Sequence, residues 1–128
     1  GGARLGDRYY LACGMREGFA RVVETDVFDF GTRTWSTAAA PAGTRIGPEL
    51  VPLGGKLYLV GGSGEQGLAR TIEEYDPARD AWRVVVEDLP FEPAHVRAFP
   101  FRDGLLLFTA HDEQAAVAHV AFVTGLAD

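Results

Sequence analysis

Residues 53–62 read LGGKLYLVGG. Five β-favouring residues, from Lys56 to Val60, lie between two glycine pairs, Gly54-Gly55 and Gly61-Gly62. The first pair is a tight-hairpin signal, and the run is apolar on both faces, as expected of a strand held between neighbours. Residues 5–14, LGDRYYLACG, and 101–110, FRDGLLLFTA, repeat the pattern on either side at a lag of 48. Leu5, Leu53 and Phe101 align, as do Tyr10, Tyr58 and Leu106, and then Leu11, Leu59 and Leu107. Downstream, Phe28-Asp29 matches Tyr75-Asp76 and Trp35 matches Trp82 at a lag of 47, where the third copy offers Phe122. One residue of drift is what a loop indel produces. Self-similarity at such a period marks a repeat architecture.

Each copy reads as strands. In the middle one they are a (46–53), b (56–60), c (71–76) and d (81–87), with Asp76-Pro77 opening the c–d turn. Arg102-Asp103-Gly104 is the matching a–b turn of the third copy. No window carries a helical period with caps. The copies occupy residues 1–40 (lacking most of strand a), 45–89 (complete) and 94–124 (lacking strand d). A four-stranded antiparallel unit of about 50 residues cannot bury both faces alone, so it must stack on copies of itself.

GGKLYLVGG, EEYDP and Trp82 resemble the kelch repeat, closely over 45–89 and more loosely in the outer copies. There Cys13-Gly14 and Thr109-Ala110 stand where the double glycine belongs. The resemblance implies an all-β fold: a kelch-type β-propeller fragment, akin to the galactose oxidase superfamily, of about two and a half four-stranded antiparallel blades. Gly61, Gly62, Tyr75, Asp76, Trp35 and Trp82 are then structural repeat positions, the two indoles filling blade-to-blade interfaces. The His and Trp-Asp signatures of WD-type wheels are missing. Since such rings carry about four to eight blades, the chain is expected to be the C-terminal part of a longer one. Its first partners would be the remaining blades, with the last blade's fourth strand supplied from elsewhere. Alone it would leave apolar end faces in water and self-associate.

Composition narrows the function. Against 18 acidic residues stand 12 basic ones, and the formal charge is −6. That balance does not suit nucleic acid or an anionic membrane, which need a cationic footprint. No apolar run approaches the roughly 20 residues of a membrane-spanning helix. The single cysteine, Cys13, rules out an internal disulfide framework, and there is no Asn to glycosylate. The compartment stays open.

Several residues could carry chemistry. Residues 62–67, GSGEQG, match G-x-G-x-x-G, but the next stretch, LARTIEEYD, reads as a strand rather than the helix a dinucleotide needs, so this is a flexible b–c loop. In a hairpin centred on Asp103, His95 and His111 face one another at the channel mouth; two imidazoles are too few for zinc. His119 falls on strand c and faces elsewhere. Glu49 and Arg97 occupy the same repeat position (lag 48) and suggest an inter-blade ion pair. Cys13 reads as a buried structural thiol, and no nucleophile elbow or acid–base couple is visible.

The resemblance implies a recognition rim at the start of strand a and just past the double glycine. By position that is Arg16, Arg45, Ser63, His95 and His111. Arginine grips carboxylates in a bidentate fashion, so an acidic peptide or an acidic sugar is the expected ligand. The expected function is a protein- or ligand-binding module working through loops on one rim, with no catalytic residue, metal or cofactor. The alternative is part of a kelch-type carbohydrate enzyme, such as a sialic-acid epimerase (mutarotase)-like protein. Copper chemistry of the galactose oxidase kind is not expected, because Tyr9, Tyr10, Tyr58 and Tyr75 sit at core-like positions and Cys13 looks structural.

Overall fold

The computed structural model describes residues 1–110 and 118–126. Strands β1 (Gly2–Leu5), β2 (Arg8–Ala12), β3 (Thr25–Asp29) and β4 (Thr34–Ala38) form one four-stranded antiparallel sheet in chain order. The second sheet contains β5 (Glu49–Leu53), β6 (Lys56–Val60), β9 (Ile72–Asp76) and β10 (Ala81–Val86), again as a meander. Between β6 and β9 lies a miniature ladder of β7 (Ser63–Gly64) and β8 (Gly67–Leu68). The third sheet has β11 (Arg97–Phe101), β12 (Gly104–Ala110) and β13 (Ala118–Val123). Among the described residues there is no α-helix, only a short 3-10 turn at Glu17–Phe19, and no helix is long and apolar enough to cross a membrane.

The a–b hairpins close on the pairs Leu5↔Arg8, Leu53↔Lys56 and Phe101↔Gly104, so each turn holds two residues. Gly54 and Gly55 both take positive φ (58° and 78°), as the twist-matched two-residue turn requires. Side chains then alternate between faces. One face of the second sheet sets Leu50, Leu57, Leu59 and Tyr75 against Ala3, Tyr10, Ala12 and Val27 of the first. Its other face sets Val51, Tyr58, Val60 and Ile72 against Ala98, Leu105 and Leu107 of the third. Every side chain from Leu57 to Val60 is buried, which explains a strand with no polar face. The inner strands β1, β5 and β11 lie side by side, so the sheets stand like slabs about a common edge. This is the all-β, blade-like stack that the repeat implied.

Some elements differ from the sequence reading. Strand a begins at Glu49 rather than 46, because Gly47 takes φ +69° and Pro48 has no N–H for a ladder. Ile46 pairs instead with Ser63. The 62–67 segment is not a free loop but the β7–β8 ladder. The two indoles also part company. Trp82 donates from Nε1 to the Ala39 carbonyl at 2.8 Å, between the first and second sheets. Trp35 is 60% exposed, because it faces outward from the first sheet, where the described residues place no neighbour. Leu11 and Phe30 are exposed with it, and Phe99, Phe101, Val120 and Phe122 are exposed on the outer face of the third sheet.

Candidate functional site

The b–c loops and the d–a connections meet at one end of the stack. The turn out of β6 is possible only with glycine. Gly61 has φ +71°, and a Cβ there would lie 3.0 Å from the Cβ of Val96. Gly62 has φ +84°, and a Cβ would lie 2.8 Å from the Ile46 carbonyl oxygen. These approaches bring the Ile46 and Val96 segments against the end of β6. Ile46, Ser63, Leu68, Pro93, His95 and Arg97 then line an open groove of about 310 Å³ between the second and third sheets. Ser63, His95 and Arg97 are all exposed there. Arg97 Nη1 donates to Glu49 Oε1 at 2.7 Å, the inter-blade pair suggested by the repeat. Arg97 remains 76% exposed, so an incoming carboxylate can compete with Glu49 for it.

The expected rim residues do not all gather in one place. Ser63 and His95 share the groove. Arg16 lies on the first b–c loop, exposed, with Nη2 donating to Glu24 at 3.1 Å. Arg45 is not exposed on the rim, although with Glu73 and the b–c loop it lines a second open groove. It is 2% exposed, and its guanidinium donates to the carbonyls of Gly61 (3.2 Å) and Thr71 (3.0 Å), to Thr71 Oγ1 (2.8 Å) and to Glu73 Oε2 (3.0 Å). Glu73, equally buried, accepts the Ala42 N–H at 2.7 Å on its other oxygen. The pair pins the d–a connection to the end of β9. β11 and β12 pair with residue numbers summing to 205 (Arg97↔Phe108), not the 206 of a hairpin centred on Asp103, so the register expected for His95 is off by one. One residue of slip reverses the face. His111 itself lies outside the described residues, and the side chain of His119 does too.

Two residues at this end were missed by the sequence reading, although Gly18-Phe19-Ala20-Arg21 repeats as Gly67-Leu68-Ala69-Arg70 at a lag of 49. Phe19, at the tip of the first b–c loop, is 84% exposed, and Gly18 and Phe19 both take positive φ to hold it out. Exposed Met15 and Val23 flank it on the same loop. Arg21, in the same loop, reaches the neighbouring one, donating to the carbonyls of Ser63 (2.9 Å) and Gly64 (3.3 Å). The two b–c loops are thereby tied into one surface. The cue in the sequence was that four-residue match, with an aromatic where the middle copy has Leu68.

Other polar groups of the stack are committed internally. Glu74 accepts from Lys56 (3.0 Å), Tyr58 (2.9 Å) and Arg83 (2.8 Å). Burial pushes its carboxyl up, but the Arg83, Lys56 and Tyr58 donors outweigh burial and hold it below the ordinary value. Tyr58 is correspondingly raised, first by burial and then by its bond to Glu74. Cys13 is half-buried, and desolvation pushes its thiol up, the direction opposite to a nucleophile's. No set of three or more His, Cys, Asp or Glu converges among the described residues.

Residues 44–87 match the family model of the kelch motif. Over 95 residues the chain is 35% identical to the human Kelch repeat and BTB domain-containing protein 13, covering 73% of this chain and 20% of that protein. It is 32% identical over 91 residues to the N-(sulfonatooxy)prop-2-enimidothioate sulfolyase of Thlaspi arvense, covering 66% and 26%. Against the Caenorhabditis elegans Kelch repeat-containing protein kel-10 it is 29% identical over 84 residues, covering 62% and 14%. The chain thus spans about a quarter or less of the length of these relatives.

Proposed function

Because the chain belongs to the kelch-repeat family, we propose that it is part of a protein-interaction propeller that takes an acidic peptide of its partner on the b–c rim. The observation that carries this reading is the pairing of a protruding aromatic, Phe19, with a groove holding Ser63, His95 and the exposed Arg97. Large aromatics and arginines are the usual anchors of protein interfaces. An apolar tip on the loop that Arg21 ties to Ser63, together with a competable cation in the groove that Ser63 lines, suits a peptide that alternates acidic and apolar residues. The buried Arg45–Glu73 pair and the double glycine hold the rim in place. Kelch relatives named for a second, BTB domain fit a part that recruits other proteins.

The test is a panning of random twelve-residue peptides against the chain, and then fluorescence polarisation of the enriched sequences. Acid-rich peptides with an apolar residue should enrich. Phe19→Ala and Arg97→Glu should each weaken binding tenfold or more, and Glu49→Gln should tighten it by freeing Arg97. Enrichment without acidic residues, or binding indifferent to both rim variants, would overturn the reading. An O-sulfated small anion or a hexuronic acid binding at the groove in place of peptides would favour an enzyme, in line with the sulfolyase relative.

A further inference from the structure

The first and second sheets are joined by a small polar clasp. Ala39, just after β4, donates its N–H to Asp80 Oδ1 at 2.8 Å and accepts the Trp82 indole N–H at 2.8 Å. Tyr75 braces the clasp, its hydroxyl donating to the same Asp80 oxygen at 2.8 Å and its ring lying 5.1 Å from that of Trp82. One acceptor and one donor thus grip both polar groups of a single peptide residue of the neighbouring sheet.

The outward face of the first sheet presents the same clasp with one part reversed. At the lag of 47, Phe28, Arg33 and Trp35 stand for Tyr75, Asp80 and Trp82. The equivalence is structural as well as sequential. Arg33 and Asp80 both take positive φ at the same turn position (57° and 48°), and Phe28 and Trp35 stack at 5.1 Å as Tyr75 and Trp82 do. The indole donor is kept, the phenol is lost, and the carboxylate acceptor has become an exposed guanidinium. At the clasp itself the outward face therefore offers donors alone, beside exposed Leu11 and Phe30.

We propose that this face docks another four-stranded sheet of the same repeat, and that the residue directly after that sheet's outer strand carries a carboxylate which Arg33 holds. Trp35 Nε1 takes the carbonyl of that residue, as Trp82 takes that of Ala39. The occupant is set by continuity with the interface between the first and second sheets, whose geometry the repeat carries over. Its charge is set by the replacement of Asp80 by Arg33. An N–H donor alone at that point would meet another donor. Arg33 is thus a specificity residue for the order of sheets in the ring. The inference rests on the family assignment and on the sheets continuing beyond this face, and it adds the chemistry of the joint.

The face can be tested with a tandem protein: a second copy of residues 1–44 fused ahead of the complete chain, carrying Trp35→Phe so that only the original Trp35 reports on the new joint. Three forms differ at residue 39 of the added copy: Ala, Ala39→Asp and Ala39→Lys. Acrylamide should quench Trp35 less in the tandem with Asp than in the chain alone. The Asp form should melt about 2–4 °C above the Ala form, and the Lys form below it, as a net difference near 1 kcal/mol would give at this length. With Arg33→Glu in the original copy the order of Asp and Lys should invert. A tandem whose Trp35 stays as accessible as in the chain alone overturns the docking itself. Shielding of Trp35 with no dependence on the charge at residue 39 leaves the stacked ring standing and overturns the role of Arg33.

Discussion

Truncating Glu73 to alanine should cost far more than a surface change, because it strands a buried cation. In the native protein Arg45 and Glu73 are both almost wholly enclosed, and the guanidinium makes four hydrogen bonds, one of them to the Glu73 carboxylate at 3.0 Å. Removing one member of such a pair typically costs about 3–5 kcal/mol, because the other charge stays buried without compensation. The Ala42 N–H loses its acceptor in the same substitution, adding roughly 1 kcal/mol. With a urea m-value near 2 kcal/mol/M, the midpoint should fall by roughly 2–3 M. The change is read by indole fluorescence at sub-micromolar protein, where end-face association is weakest. Glu73→Ala combined with Arg45→Met should recover much of the loss, since an apolar side chain of similar volume carries no charge to strand. A Glu73→Ala midpoint within about 0.5 M of wild type would refute the reasoning, and so would a double variant no better than Glu73→Ala alone. Either result would mean that Arg45 can turn to solvent and is free to act at the rim.

Gly62→Ala should destabilise by about 1–3 kcal/mol, since its Cβ would meet backbone at 2.8 Å and its φ is +84°, while Gly43→Ala, with open space around it, should be neutral in the same chemical melt. Leu57→Ala, fully buried between the first two sheets, should cost about 2–5 kcal/mol, also by urea midpoint. The depressed Glu74 carboxyl makes the fold acid-sensitive: its contribution is present above the unfolded value of 4.5 and is lost as pH falls through the lower folded value. Glu74→Gln should therefore flatten the stability–pH profile between about pH 5 and pH 2, and a profile as steep as wild type would contradict that assignment.

The elements legible in the sequence were those whose signal is local and repeated. A two-residue glycine turn, an apolar run and an aromatic at fixed spacing each report a backbone conformation or a shared interface, and they recur from copy to copy. The departures arose where the determining contact is long-range or outside the repeat frame. Arg45 looked like a rim arginine because its partners, Thr71 and Glu73, lie across the sheet. His95 was misaligned because the third a–b turn was read as three residues, Arg102 to Gly104, whereas Gly104 already pairs with Phe101. Phe19 escaped notice because the match of its loop to the middle copy, at a lag of 49, is out of phase with the lags of 48 and 47 on either side. Trp35 shows a limit of another kind: the repeat placed it at an interface, but the sheet that would complete that interface is not among the described residues.

These departures share a direction. The charged side chains buried within the stack are bonded internally, Arg45 with Glu73 and Glu74 with Lys56, Tyr58 and Arg83, while the buried hydroxyls of Thr25 and Thr109 have no partner. A saturated buried group cannot meet a ligand without breaking bonds it already has, and its replacement is felt as lost stability. The rim groups are different. Ser63, His95 and Phe19 are exposed, and Arg97 is held by one competable carboxylate. Their replacement should leave folding nearly untouched, within about 0.5 kcal/mol. On the proposed reading, stability and recognition fall to separate residues. A rim of this kind can change its partner without changing the slabs beneath it.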